Sequence, residues 1–309
     1  MEISVVIPTY GSPDSLEPLY IRLHETLAKI SNTFEVIFVD DACPKGSWSA
    51  LRNLHTKHPN TVRCLRLSRN FGQHSAIYAG IEVARGNYVL VMDCDLEEAP
   101  ETIPELVALA RKDSLDIVFT KRLNRKHSFV KKLFSKLYLK FIGFLNGDVI
   151  QQDLGTLSLM TRPVVDNYIR ISDYNKHHLH TLFWLGYKHG FVPTEHNSRK
   201  TGSSSYTVSK LIKHALAGIL FQTTGFLTFI MFLGFGISFT SFCFACFYVW
   251  HYFFHAPPRG YTSIAVLSSF LNGMAIFCIG VVGIYIGTIF KQVQRRPAFI
   301  IAEKLSENK

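Results

Sequence analysis

The sequence predicts an α/β domain on a mostly parallel sheet, followed by amphipathic interfacial helices and a two-helix transmembrane hairpin. Two observations carry that expectation. Up to Thr120, short apolar runs alternate with stretches of helical periodicity, as strands joined by crossover helices do. Further on, no Asp, Glu, Lys or Arg occurs from His214 to Pro258, nor from Gly260 to Phe290. A helix crossing a bilayer needs about 20 mainly apolar residues, and each stretch is long enough for one. With 48% of its 309 residues apolar and only 18% charged, the chain is not of the disordered, collagenous or coiled-coil classes.

The strands are read first. Ile3 to Pro8, Phe34 to Asp40, Val62 to Leu67, Tyr88 to Asp93 and Asp116 to Thr120 are five apolar runs, and helical periodicity fills Ser15 to Ile30, Ser47 to His58, Gln73 to Ala84 and Glu101 to Arg111 between them. Such alternation predicts a parallel sheet covered on both faces, with the ligand crevice at the carboxyl ends of the strands. Asp40 and Asp93 both fall at those ends. A basic amphipathic helix is expected over 121–142, then a mixed region, so that residues 1–205 form one α/β domain. The stripe Val208, Leu211, Ile212, Ala215, Leu216, Ile219 and Leu220 makes 206–222 an interfacial helix. Spans are expected over about 224–252 and 262–290 within a membrane region of 223–290, with a Pro257-Pro258 turn between them and a tail over 291–309. Lys210 and Lys213 flank one end of the hairpin and Lys291, Arg295 and Arg296 the other, against a lone Arg259 in the turn. The positive-inside rule then places both termini, and with them the α/β domain, on the cytoplasmic side.

The net charge of +10 is concentrated in one block. Lys121, Arg122, Arg125, Lys126, Lys131, Lys132, Lys136 and Lys140 have no acid among them, and Phe129, Leu133, Phe134, Leu137 and Phe141 recur between them at helical spacing. Basic residues opposite an apolar stripe suit an anionic membrane surface better than nucleic acid, which is not expected as a partner. The six cysteines are scattered, and the Cys243-x-x-Cys246 pair sits inside an apolar span, where packed free thiols are expected and not a zinc or redox site. Met1-Glu2-Ile3 opens directly into a strand, so no signal peptide is expected.

Asp93-Cys94-Asp95 leaves the fourth strand, with Glu97 close behind. Two carboxylates one residue apart can both reach a hard divalent cation, Mg²⁺ or Mn²⁺, held jointly with substrate phosphates. Alone the pattern also suits a solvated turn. Asp40-Asp41 closes the second strand, where a carboxylate can accept hydrogen bonds from a base or ribose or else cap a turn. Pro8-Thr9-Tyr10 walls the same crevice, its Tyr ring free to stack on a base.

These segments gain specificity together. Val5-Val6-Ile7-Pro8-Thr9-Tyr10, Asp40-Asp41, the Arg69-Asn70-Phe71-Gly72-Gln73 to Gly80 segment and Met92-Asp93-Cys94-Asp95-Leu96 occur in an order and spacing that resembles the family 2 glycosyltransferases of GT-A fold, in particular those acting on polyprenyl phosphates. Arg259-Gly260-Tyr261, the Gly280 to Gly287 run and Gln294-Arg295-Arg296-Pro297 resemble the C-terminal hairpin of the bactoprenol glucosyltransferases. The Asn70 to Gly80 segment and Asp153-Leu154-Gly155 resemble the undecaprenyl-phosphate aminoarabinose transferases more, and the dolichol-phosphate mannose synthases are similar too. The likeness covers nearly the whole chain. It implies that a Rossmann-like GT-A domain binds a nucleotide-sugar, a UDP-sugar in the nearest-looking relatives, through Pro8, Tyr10, Asp40, Asp41, Gln73 and Asp93. It implies a cation on Asp93, Asp95 and Glu97, and an acceptor lipid phosphate on Arg122, Arg125, Arg199, Ser203 and Ser205. Arginine suits that last task because its planar fork matches phosphate oxygens. Related enzymes assemble as tetramers, and Gly273, Gly280, Gly283 and Gly287 allow close helix contact, so a homo-oligomer in the bacterial inner membrane is expected.

Departures from the family pattern cluster around the same pocket. Gly11-Ser12 replaces Asn-Glu, Ala42-Cys43-Pro44 stands where Gly-Ser is usual, and Gly155-Thr156-Leu157-Ser158 replaces a Gly-Asp-Phe-Arg block, leaving Asp153 as the nearby acid. They leave the reaction class alone and open the identity of the sugar. A lipid phosphate is already anionic at neutral pH, with a second pKa of about 6, so a strong general base is dispensable. The expected chemistry is in-line attack with inversion, Asp95 and Arg122 serving the leaving and attacking phosphates and Asp153 orienting the acceptor or the sugar. Two other readings stay open: a non-catalytic membrane scaffold binding lipid phosphates, and a polysaccharide synthase. Against the second, none of Trp48, Trp184 or Trp250 follows an Arg, so Gln-x-x-Arg-Trp is missing.

Overall fold

The computed structural model describes residues 1–122, 154–171, 173, 176–194, 236 and 261–306. The chain divides into two compact units, one of Met1–Lys126, Gln151–Gly202 and Arg296–Lys309, the other of His127–Ile150 and Ser203–Arg295.

The first unit holds one eight-stranded sheet. In chain order its elements are β1 (Ile3–Thr9), α1 (Leu16–Leu27), β2 (Phe34–Asp40), α2 (Ser47–Lys57), β3 (Val62–Leu67), α3 (Gln73–Val83), β4 (Tyr88–Val91), α4 (Ile103–Lys112) and β5 (Ile117–Arg122). These match the five strands and four helices expected from periodicity, to within a few residues at each boundary. β1 and β2 are buried along their whole length, which is why they read as near-continuous apolar runs and not as alternating ones. Side chains of opposite parity feed two cores. Val5, Ile7 and Phe38 pack with α1, α2 and α4 on one face. Val6, Ile37 and Val39 pack with α3 on the other. Pro104 in the first turn of α4 fits where a helix needs no N–H.

β6 (Leu154–Thr161), α5 (Arg162–Arg170), α6 (His178–Trp184) and β7 (His189–Thr194) follow. They lie in the stretch expected as a mixed region. The sheet order is β7-β5-β6-β4-β1-β2-β3, with an eighth strand, β8 (Ile301–Leu305), beyond β3. β1, β2, β3 and β4 are parallel, as are β5 and β7. β6 runs antiparallel between β4 and β5, so the fourth and fifth strands are not neighbours. β8 pairs antiparallel with β3, so the expected tail contributes an edge strand to the catalytic sheet.

In the second unit the helix α7 (Tyr261–Val293) falls on the later expected span. It carries no Asp, Glu, Lys or Arg before Lys291. Judged on described residues alone, however, no helix is long and apolar enough to cross a membrane. The basic helix beyond Arg122, the interfacial helix at 206–222 and the earlier span, apart from Gly236, lie outside the described residues.

Candidate active site

Because β1, β2 and β4 are parallel, their last residues meet at one edge of the sheet, with Thr9 in register with Asp40 and Val6 with Val91. Antiparallel β6 brings its first residues to that same edge, opposite the end of β5. Pro8, Tyr10, Asp40, Asp41, Asp93, Asp95, Glu97 and Arg122 therefore gather from four separate segments, while Leu154 to Leu157 supply a wall that sequence reading did not assign to a strand.

Tyr10 stands 53% exposed, its ring available at the rim. Asp40 is fully buried. Its Oδ1 accepts the Cys43 N–H at 3.2 Å, and Oδ2 has no hydrogen-bond partner among the described residues. Burial pushes the carboxyl above its ordinary range, while the Cys43 N–H and the Arg66 guanidinium, its Nε 3.7 Å from Oδ2, pull it back. A buried acceptor with an open lone pair suits the N–H of a nucleobase. Asp41 also braces the backbone. Its two oxygens accept the N–H groups of Phe71 (2.7 Å) and Gly72 (2.9 Å), which fixes the loop ahead of α3. Cys43 ties the first two strand ends together, its sulfur accepting the Gly11 N–H at 3.1 Å and the Lys45 N–H at 3.3 Å. Burial raises that thiol, and the converging donors, the Ser47 hydroxyl first among them, bring it below its usual value.

Asp93 receives two hydrogen bonds, from Gln73 Nε2 on Oδ1 (2.7 Å) and from Thr156 Oγ1 on Oδ2 (2.8 Å). Gln73 thus serves Asp93 directly. Burial lifts Asp93 to about 6, Asp95 adds to the rise, and Thr156 and Gln73 oppose it. Asp95 is half-buried, with its Oδ1 accepting the Glu97 N–H at 3.1 Å. Leu96 between them has φ of 63°, a left-handed conformation costly for a side chain beyond Asn or Gly. Ala42, just after Asp40-Asp41, is the same at φ 52°. Both acid pairs are followed by a strained residue.

Glu98 was missed by sequence reading. It is 7% exposed, its Oε1 accepts the Leu157 N–H at 2.9 Å, and Oε2 has no partner among the described residues. Burial and then the Asp93 charge push it to about 7. Gly155 is required here, since a Cβ on it would lie 2.3 Å from Thr120 Oγ1 and 2.7 Å from Glu98 Oε1. Arg122 ends β5 near both acids, its Nε buried without a hydrogen-bond partner among the described residues. Nothing local separates Glu98 from Glu97; only tertiary burial does. Arg125, Asp153, Arg199, Ser203 and Ser205 lie outside the described residues.

The His-rich start of α6 is a packing device. His178 is buried between Ser158 Oγ (3.1 Å) and Tyr168 OH (3.3 Å), and burial lowers it to about 3, so it stays neutral at physiological pH. Among the described residues no group of three or more His, Cys, Asp or Glu side chains could cage a metal. Asp93 and Asp95 nevertheless fit a hard cation held mostly by diphosphate oxygens, which asks the protein for only one or two carboxylates. Each Asp93 oxygen accepts one side-chain hydrogen bond, and a carboxylate oxygen has a second lone pair.

The mixed sheet, with acids at the end of β2 and an Asp-x-Asp after β4, fits the GT-A-like fold expected from the sequence. The chain belongs to glycosyl transferase family 2, whose family model matches residues 4–169. It is 32% identical to an uncharacterized glycosyltransferase of Synechocystis sp. over 98% of this chain and 95% of that one. An uncharacterized glycosyltransferase of Bacillus subtilis is 28% identical over 100% of this chain and 96% of its own. A bactoprenol glucosyl transferase of Shigella phage SfII is 29% identical over 97% of each chain.

Proposed function

We propose that this glycosyltransferase moves a sugar from a nucleotide-sugar, in our reading a UDP-sugar, onto a polyprenyl phosphate such as undecaprenyl phosphate. It would act at the cytoplasmic face of the bacterial inner membrane, anchored there by the two uncharged stretches as a homo-oligomer, and supply a lipid-linked sugar for cell-surface glycan or lipopolysaccharide. One observation carries the reading. The likeness to a bactoprenol glucosyl transferase extends over 97% of both chains, through the uncharged stretches as well as the sheet.

The residues divide the work. Tyr10 offers a ring for the base and Asp40 an acceptor for its N–H. Asp95, with Asp93 beside it, would hold Mg²⁺ or Mn²⁺, which when bound neutralises charge on the departing nucleoside diphosphate. Gln73 and Thr156 aim Asp93 and favour its ionised form. Arg122 presents a cation at the same strand ends, suited to draw the acceptor phosphate against the repulsion of the donor. The acceptor needs no deprotonation, so the lack of an acid at Thr156 is compatible with turnover.

The test is a panel of nucleotide-sugars offered to the detergent-solubilised full chain with undecaprenyl phosphate and Mg²⁺ or Mn²⁺, with glycolipid detected by mass. One sugar should be transferred with release of nucleoside diphosphate. Failure of every donor to load the lipid would remove the acceptor assignment, and nucleotide release without lipid would point to another acceptor.

A further inference from the structure

A row of charge crosses the sheet at its carboxyl edge. Thr9 on β1 is in register with Asp40 on β2, Asp40 with Arg66 on β3, and Arg66 with Glu303 on β8. In-register neighbours share a face. Arg66 bridges the row, with Nε 3.7 Å from Asp40 Oδ2 and Nη1 donating to Glu303 Oε1 at 2.9 Å. Glu303 is itself held from the other side. Its Oε2 accepts the Trp48 indole N–H at 3.2 Å and an N–H of Arg52, while the Arg52 and Arg66 guanidinium groups lie over the Trp48 ring at 5.6 and 5.8 Å. Arg66 is 38% exposed, so without Glu303 a long cationic side chain would be free to turn into water.

Asp40 is steadied by the Cys43 N–H first and by that cation second. It is fully buried, burial pushes its carboxyl toward the neutral form, and Arg66 is the positive side chain opposing the push. We infer that Glu303 is a positioning residue for the donor, holding Arg66 as the counter-ion that keeps Asp40 charged and correctly turned for the nucleotide base. The inference rests on the reading of Asp40 as a base acceptor. It gives the segment following α7 a part in donor recognition, although that segment lies far along the chain from every residue of the crevice.

The experiment uses the full chain in detergent and measures binding of UDP and of GDP by calorimetry, together with donor KM and kcat once a donor is known. Glu303→Ala should weaken binding of the preferred nucleotide about threefold to tenfold and raise donor KM alike, with kcat little changed, an effect of the size expected for one partly exposed charge contact. Glu303→Gln keeps an acceptor for Arg66 and should stay within about twofold of the wild type. Arg66→Ala should weaken binding as Glu303→Ala does, and the double variant no further, because one chain of contacts is being cut twice. Three results would overturn the proposal: Glu303→Ala, folded by its thermal transition, binding like the wild type; additive losses in the double variant; or loss of kcat with unchanged KM. If Glu303→Ala does not fold, Arg66→Ala and Glu303→Gln carry the same comparison. Wild-type protein that binds neither nucleotide would instead strike the Asp40 reading beneath it.

Discussion

The two ends of one sheet treat buried charge in opposite ways. At the amino ends, Glu35 is 1% exposed and its carboxylate accepts the Ser4 hydroxyl (2.7 Å), an Arg63 N–H (2.5 Å) and the Arg85 backbone N–H (2.7 Å). Arg63 also donates to the Val83 carbonyl, while its Nε is buried without a hydrogen-bond partner among the described residues. At the carboxyl ends, Asp40 Oδ2, Glu98 Oε2 and Arg122 Nε are buried without hydrogen-bond partners among the described residues. Asp93 and Glu98 are raised to about 6 and 7. The first arrangement is a closed structural joint. The second keeps polar capacity in hand for a ligand, at a cost in stability that the joint and the two apolar cores offset.

Breaking the joint should be the largest effect. Glu35→Ala leaves a buried guanidinium without its partner and should cost about 3–5 kcal/mol of stability, read as a lowered urea midpoint, with normal activity per folded molecule. Asp95→Asn should do the reverse, lowering kcat by about 10²-fold or more while the thermal transition stays put. If turnover survives that change, the Asp-x-Asp does not serve the diphosphate.

The raised acids sharpen the contrast through pH. Solvated carboxyls titrate near 4, so between about 4 and 7 the folded protein retains protons that the unfolded chain has released. Stability must then fall as pH rises through that window. Glu98→Gln removes the larger contribution. Its melting temperature should match the wild type below pH 4 and exceed it by about 2–4 °C at pH 8; parallel pH profiles would mean that Glu98 is not so perturbed. The smallest effect lies at Ala42. Giving its φ of 52° to glycine should stabilise the fold by about 0.5–1 kcal/mol, and a lower melting temperature for Ala42→Gly would show that the strain was overstated.

The same contrast explains what could be read from the sequence. The central parallel strands were legible because burial on both faces writes a near-continuous apolar run, as in Ile3–Thr9. The acids at their ends were legible because strand polarity puts them on one edge. β6 was not, since Thr156 and Ser158 interrupt its apolar residues, and Ser158 is buried only because His178 meets it. β8 was hidden for another reason. Ile301–Leu305 is a weak edge strand whose only partner lies far away in the sequence. Asp41 and Glu98 show the limit at the site itself. That Asp41 braces Phe71 and Gly72 could not be read from its place in an acid pair, and one of two adjacent glutamates stands apart only because it is buried.

The late position of β8 bears on how the protein is made. A ribosome delivers β1 to β7 first, and the flank of β3 then waits, its backbone amides unmatched, while the long uncharged stretches are synthesised. An exposed flank of that kind invites pairing with the wrong chain. A message cut short after α7 would therefore yield a nascent product with every crevice acid in place and an adhesive margin left open.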